Sequence, residues 1–524
     1  MKTFANLLER LLFSPGRNTK ISLLRAYFAT TPDPDRGFAL AAIAGALDFP
    51  GAKSATLRAL AEERTDPELF RLSYDFVGDL AETIALIWPK PISENPPDFH
   101  TIITALSAAK RSEIPNVIAG WLDVCDSSTR IALIKFLTGG LRVGASLRLA
   151  KLALAELAEI DVNEIEEIWH GLEPPYKSLF AWLEHRAEKP DAAQNPVFRP
   201  VMLAHPIEEK EFATLDWSAH RAEWKFDGIR VQLVATSHGK RLYSRTADDI
   251  SHAFPEILAA MNFHGVLDGE LLVIRDSAVA PFADLQQRLN RKTVSAKMLA
   301  DYPAAVRLYD ILFDGEADLR PLPFDQRRHR LENFYATHNP PRMDLSPLIP
   351  FTAQTELAAL REGARAAGIE GLMIKRADSP YLAGRPRGFW WKWKRDPLAI
   401  DAVLMYAQRG HGKRSSFYSD YTFGVWSPAG ELVPVGKAYS GYTDAELLHI
   451  DKWIRNHTLA RFGPVREVEK TLVFEVGFDS AQLSTRHKSG VALRFPRIAR
   501  IRTDKPAAEA DRLETVLRLV ESSS

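Results

Sequence analysis

Near residue 190 the spacing of apolar side chains changes period. Before it, "SATLRALAEER", "TIITALSAAKR", "IALIKFLTG" and "SLRLAKLALAELAEI" place apolar residues at i, i+3, i+4 and i+7, the stripe of an amphipathic helix. Breaks rich in Asp and Pro, "TTPDPD" and "SENPPD", separate these runs. After it, "IRVQLVAT", "RLYSR", "VLDGELLVI" and "VRLYDILF" read as strands, mixed with helical "PEILAAM" and "DLQQRLNRK". A period of 2 and a period of 3.6 cannot share one element. The chain therefore divides into an all-α region over residues 1–190 and an α+β region over residues 200–396. "EKPDAAQNPVFRP" reads as the linker between them. Beyond Asp396, "DAVLMYAQ", "YTFGVWSP", "LVPVGKAYSG" and "TLVFEVGF" are short strands between turns, as in a small β-barrel over residues 400–524. "AAEADRLETVLRLVE" adds one amphipathic helix.

Composition excludes several classes. No apolar run reaches the ~18–20 residues of a membrane-spanning helix. The opening "MKTFANLLERLLFSPGR" is amphipathic and lacks a small-residue cleavage site, so it is not a secretory signal. One cysteine, Cys125, permits no internal disulfide and no four-cysteine zinc site, and a reducing cytoplasm is expected. Net charge is zero, with 67 basic and 67 acidic residues. The bases are nevertheless clustered. Arg385, Arg387, Lys392, Lys394, Arg395, Arg409, Lys413 and Arg414 face only Asp396 and Asp401. Arg486, Lys488, Arg494, Arg497, Arg500, Arg502 and Lys505 face only Asp504. Such local basic surface suits a polyanion, or is solvated charge balanced elsewhere in the fold.

Within "AEWKFDGIRVQL" (222–233) Lys225 stands between Trp224 and Phe226. Strand alternation puts Glu223, Lys225 and Asp227 on one face and the two aromatics on the other. The aromatics then anchor a strand that presents an amine. Gly228 allows a bend or close approach of backbone to a phosphate. A lysine becomes a nucleophile when burial or nearby cations lower its pKa from ~10.4. Its target is a carbonyl or a phosphorus; this stretch alone leaves both open. K-x-D-G-x-R fixes four positions, and at about 5% usage per residue it arises by chance in a chain this long on the order of a few times in a thousand.

"KFDGIR" resembles the K-x-D-G-x-R motif of covalent nucleotidyltransferases: DNA ligases, RNA ligases and mRNA capping enzymes. The superfamily's other motifs follow in order. They are "LYSRTADDI" with Arg245, "LDGELLV" with Glu270, "VRLYDILFDG" with Tyr309, "IEGLMIKR" with Glu370 and Lys375, "FWWKWKRDP" with Lys392 and Lys394, and "LRFPRIARIRTDK". Tyr309 stands where phenylalanine is common, and Trp393 replaces an aliphatic residue between the two lysines. "GRPRGFWWKWK" offers two arginines, Arg385 and Arg387, for the one that usually precedes the lysine motif, each one residue off the expected spacing.

The resemblance implies a chemistry. Lys225 would attack the α-phosphorus of ATP. Lys392 and Lys394, two apart on one strand, would neutralise phosphate oxygens. Glu270 and Glu370 are hard oxygen ligands for Mg²⁺, for which Mn²⁺ can substitute. Tyr309 would stack on adenine, and Glu223 would read its edge. Arg245 would contact phosphate or ribose, Arg230 the ribose or the 5′ end of a nick, and Lys375 the nucleotide. Arg497, Arg502 and Lys505 would swing onto the triphosphate and orient pyrophosphate, about a hinge at "RDPLAID".

The flanks narrow the family. A helical front of this length resembles that of the three-domain ATP-dependent DNA ligases, of the bacterial type. "FLTGGLRVGASLRLAKLALAE" resembles their all-α DNA-binding domain, where the Gly139-Gly140 turn and Arg142 would contact phosphates without reading bases. NAD-dependent ligases usually carry a four-cysteine zinc finger, which one cysteine cannot build. The implied fold is multidomain: an all-α N-terminal domain, an α+β nucleotidyltransferase (ATP-grasp-like) domain and a C-terminal β-barrel OB-fold. The implied partner is nicked duplex DNA, sealed by a monomer with no membrane contact, in the cytoplasm at the nucleoid and in repair. An RNA ligase, or a ligase for mixed RNA–DNA nicks, is the other reading.

Overall fold

A computed structural model describes all residues except 94, 142, 192–194, 277, 290, 292, 365–368, 411–416, 486 and 522–524. The chain forms two compact units, Met1–Val197 and Phe198–Ser524. No described helix is long and apolar enough to cross a membrane.

The first unit is helical from Lys2–Phe13 to Lys177–Leu183. "SATLRALAEER" is the helix Ser54–Arg64, and "SLRLAKLALAELAEI" contains Leu147–Ala158. Aspartates start many of these helices. The carboxylates of Asp66, Asp98 and Asp126 accept from the amides of Leu69, Thr101 and Thr129 at 2.7, 2.7 and 2.8 Å. Each satisfies an amide that the first turn leaves unbonded. Leu24, Phe28, Leu40, Ile118, Leu133 and Phe180 lie in one continuous core.

The second unit begins with two sheets. The larger carries Gly239–Ser244, Ile229–Thr236, Gly265–Arg275 and Ala304–Asp314 in that order, antiparallel. Its core holds Leu233, Leu267, Val306 and Leu308. The smaller sheet is ordered His205–Pro206, Trp390–Lys394, Gly371–Arg376, His220–Lys225, Leu348–Ile349. Ala222, Leu372, Ile374 and Trp391 pack beneath it, with Trp224 against them. "DLQQRLNRK" has helical spacing, yet the helix covers only Phe282–Gln286. Beyond it the buried Arg288 donates to the Glu256 carboxylate at 2.7 Å and the Ala253 carbonyl at 2.6 Å, and these tertiary bonds override the local period.

The C-terminal part is an OB-like β domain. Leu398–Arg409, the longest strand, pairs with Tyr418–Trp426, Val465–Val468 and Val473–Phe478, around Leu404, Phe423, Phe474 and Val476. Two helical details differ from the expectation of strands followed by one terminal helix. Asp444–Asn456 is a helix, opened by a capping box in which Thr443 and Glu446 bond reciprocally. The terminal stretch is a short 3₁₀ turn, Ala507–Glu509, followed by the helix Leu513–Glu521.

Candidate active site

Lys225 ends the strand His220–Lys225. Antiparallel register sets it opposite Gly371, and Gly371 in turn lies opposite Lys394. Glu370, one residue earlier, donates its amide to the Lys225 carbonyl at 2.8 Å. Its carboxylate thereby falls between two lysines and ion-pairs with both Lys225 and Lys394. Gly371 is sterically required here. Its φ is +150°, and a Cβ would lie 2.3 Å from the Trp393 carbonyl oxygen and 2.8 Å from Lys394 Cα. Gly228, three residues beyond Lys225, is equally constrained: a Cβ would meet the Leu271 carbonyl oxygen at 2.5 Å and Glu270 Cγ at 2.8 Å. The two glycines let Lys225, Glu270 and Glu370 converge.

The convergence bounds a cleft of about 520 Å³. Lys225, Glu270, Glu370, Lys392 and Lys394 form one part of its wall, with Arg385 and the exposed Arg245 at the margin. Glu223, Arg230, Tyr309 and Lys375 form another part. Arg387 is exposed and not among the lining residues, so of the two candidate arginines the fold brings Arg385 to the cleft.

The carboxyls and amines here are strongly polarised. Burial pushes the Glu270 carboxyl up to about 8; the Lys225 and Arg230 charges oppose this, and Glu370 and Asp227 add to it. Burial also acts on Glu370, but the Lys225 and Lys394 ammoniums outweigh it and hold its carboxyl below the usual range. Burial lowers Lys392, and the like charges of Lys394, Arg385 and Lys225 lower it further, against Glu370. For Lys394 the nearby Glu370 and Asp479 overcome burial and raise it. The cleft thus contains one carboxylate held ionised by two lysines and one carboxyl that retains its proton near neutrality.

Tyr309 reaches the cleft through a β-bulge. Asp268 pairs with Asp310 and Gly269 with Leu308, leaving Tyr309 as the extra residue, whose side chain is re-aimed. Behind it Lys375, 2% exposed, ion-pairs with Glu223 Oε2 at 2.5 Å. Its Nζ lies 4.8, 4.7 and 4.6 Å from the ring centroids of Tyr309, Phe324 and Trp390. Glu223 Oε1 is buried without a hydrogen-bond partner among the described residues.

Several expected contacts are placed differently. Arg230 lines the cleft, but its guanidinium is engaged: it donates to Asp268 at 3.0 and 2.6 Å, to the Met202 carbonyl at 2.6 Å and to the Tyr381 hydroxyl at 3.0 Å. It braces the wall rather than reaching outward. Arg502 and Lys505 are not on the cleft; both bind Asp401, at 2.8 and 2.7 Å. Arg497 is held by Asp479 at 3.0 Å in an adjoining cleft of about 770 Å³ that shares Glu370, Lys392 and Lys394. The Gly139 and Gly140 amides both donate to the Lys135 carbonyl, closing the helix Ser127–Thr138. They are used in capping and are not free for phosphate. Arg142, Lys413, Arg414 and Arg486 lie outside the described residues.

Sequence reasoning passed over Asp268, Asp479 and Phe495, and counted Arg494 only among the clustered bases. Arg494 ion-pairs with Asp227 of the lysine motif, and its guanidinium lies 4.2 Å from the Phe282 ring centroid. Phe495, at the cleft, is 63% exposed. Asp268 sits one residue before the "GE" of a motif already singled out, and its complete burial beside an arginine was the signal only coordinates supply. Among the described residues no group of three or more His, Cys, Asp or Glu could hold a metal. A Mg²⁺ site of one or two carboxylates completed by substrate phosphates and water does fit, because Glu270 faces the cleft with no cation among the described residues bonded to its carboxyl.

Residues 201–394 match the ATP dependent DNA ligase domain and residues 414–505 match the ATP dependent DNA ligase C terminal region. A probable DNA ligase of Koribacter versatilis (strain Ellin345) is 36% identical over 408 residues, 73% of this chain and 70% of that protein. The chain belongs to the ATP-dependent DNA ligase family. The ligase aligns along most of its length with a DNA ligase of Methanothrix thermoacetophila, 27% identical over 551 positions, 98% of this chain and 97% of the relative. The solved structure Pmar-Lig_PreS3 shares the fold, with a TM-score of 0.59 at 17% identity over 95% of this chain and 99% of that one.

Proposed function

We propose that the ligase seals nicks bearing a 5′-phosphate and a 3′-hydroxyl in duplex DNA, using ATP, in DNA repair. The observation that carries this is the meeting of Lys225, Glu370 and Lys394 at one end of the cleft, with Glu223, Lys375 and Tyr309 at the other. The first set suits phosphates and the second a purine base.

Lys225 Nζ attacks the α-phosphorus. The Lys225 ammonium first gives up one proton to solvent to free its lone pair; the N–P bond then forms as the bond to the pyrophosphate oxygen breaks, pyrophosphate leaves, and the nitrogen loses a second proton to solvent. Glu370 aims Lys225 beforehand through the ion pair, and releases it as phosphates arrive to take up the charge of Lys392 and Lys394. Mg²⁺ held by Glu270 and Glu370 would neutralise charge at the reacting phosphate. The 5′-phosphate of the nick then attacks the AMP phosphorus, and the N–P bond breaks. Finally the 3′-hydroxyl loses its proton and attacks the 5′-phosphorus, forming the phosphodiester and releasing AMP.

The base stacks on Tyr309, and Glu223 Oε1 accepts from its 6-amino group. Arg494 and Phe495, which line the cleft, would meet the duplex in this reading. The helical unit and the OB-like domain, an OB-fold in this reading, grip the backbone without reading sequence, which is what a nick requires. Arg502 and Lys505 reach the triphosphate only after leaving Asp401, by rotation of the C-terminal domain about residues 395–401.

Sealing of DNA–DNA, RNA–DNA and RNA–RNA nicks, each with ATP and with NAD, tests this. Fastest sealing of the DNA–DNA nick with ATP is expected. Sealing with NAD, or a preference for RNA–RNA ends, would overturn it.

A further inference from the structure

A buried charge persists only when something repays its desolvation. Lys375 is 2% exposed, and its anionic partner is Glu223, itself 2% exposed. The contact is an ion pair and not an aligned hydrogen bond. The ammonium also lies against the faces of Tyr309, Phe324 and Trp390. Arg328, on the helix Phe324–His338, is a second cation near Glu223 among the described residues. Its Nη1 stands 3.7 Å from Oε1, beyond hydrogen-bond reach, and donates instead to the Ser346 carbonyl at 2.7 Å. One oxygen of Glu223 therefore faces Lys375, while the other is buried and has no donor among the described residues. Lys375 thus touches both the ring and the carboxylate of the proposed base site.

We infer that Lys375 is a positioning residue for base choice: by holding the Glu223 carboxylate fixed beside Tyr309, it makes the site accept a 6-amino purine and refuse a 6-oxo purine. This rests on the placement of the base proposed above. An ionised Glu223 can only accept a hydrogen bond, which suits an amino group and repels a carbonyl oxygen. Without the Lys375 ammonium the carboxylate loses the partner that holds it beside Tyr309, and the preference weakens.

The test measures the Kd of ATP and of inosine triphosphate, which carries oxygen at position 6. Both are measured in a Lys225→Ala background, so that no covalent chemistry contributes. The parent should prefer ATP. Lys375→Met should reduce the ratio about tenfold or more, the scale of one hydrogen bond to a charged group, whereas Lys375→Arg, which keeps the charge, should largely preserve it. Equal loss in both variants would reduce Lys375 to packing and overturn the inference. Should Lys375→Met not fold, Glu223→Gln, which can both donate and accept, must lower the same ratio; an unchanged ratio there also overturns it. Lysyl-AMP formation by the unmodified chain, measured separately, tells failure of the site reading from failure of this inference.

Discussion

At the phosphate end of the cleft, the side chains of Lys225, Lys394 and Glu370 are 23%, 41% and 18% exposed. At the base end, those of Lys375 and Glu223 are 2% and 3% exposed, boxed by three rings. Ion pairs open to water contribute about 0–1 kcal/mol and exchange readily for a ligand's charges. A caged pair cannot be opened without stranding a charge, at about 3–5 kcal/mol. One end is thus built to let go of its partners as substrate arrives, and the other to hold still. The same contrast separates Glu370, held ionised by two lysines, from Glu270, which keeps its proton until a cation replaces it.

Substitutions can break this contrast. The largest effect expected is on chemistry at the open end: Lys225→Ala loses nick sealing by on the order of 10⁴-fold or more in single-turnover assays. Stability should respond at the opposite end. Glu223→Ala strands Lys375 and lowers unfolding free energy by about 3–5 kcal/mol in urea titrations, while Glu370→Ala changes it by about 1 kcal/mol or less although it slows adenylation. Equal destabilisation by the two would erase the distinction.

Glu270 sharpens it through pH. Its pKa in the fold, about 8, lies above the ordinary carboxylate value. Its contribution to stability is therefore full below about pH 4.5 and is lost as pH rises through about 8. Metal-free protein should lose roughly 2–4 kcal/mol from this group between pH 5 and 9. Glu270→Gln should lack that component, and equal slopes for the two proteins would contradict the assignment. The smallest effects concern the arginine pair. Arg385→Ala should raise the KM for ATP several-fold, and Arg387→Ala should leave it within about twofold, since only Arg385 lines the cleft.

The elements of this cleft were legible because local pattern fixes them. "IRVQLVAT" is the strand Ile229–Thr236, and the glycines of "KFDGIR" and "IEGLMIKR" stand where backbones approach too closely for a Cβ. The helix Asp444–Asn456 had a readable start in Thr443 and Glu446, masked by surrounding strand patterns. What pattern could not show is long-range. The Tyr309 bulge depends on a partner strand forty residues away in sequence, and the bracing of Arg230 by Asp268 and Tyr381 spans up to 151 residues. The parking of Arg502 and Lys505 on Asp401 joins residues about a hundred apart. None of these has a local period to reveal it.

The most direct test is where AMP becomes attached. After incubation with ATP and Mg²⁺, digestion and mass spectrometry should find one AMP, on the peptide containing Lys225, stable to alkali and to neutral hydroxylamine but released by acid, as a phosphoramidate is. AMP on any other residue, or an adduct that persists in Lys225→Ala, would contradict the account.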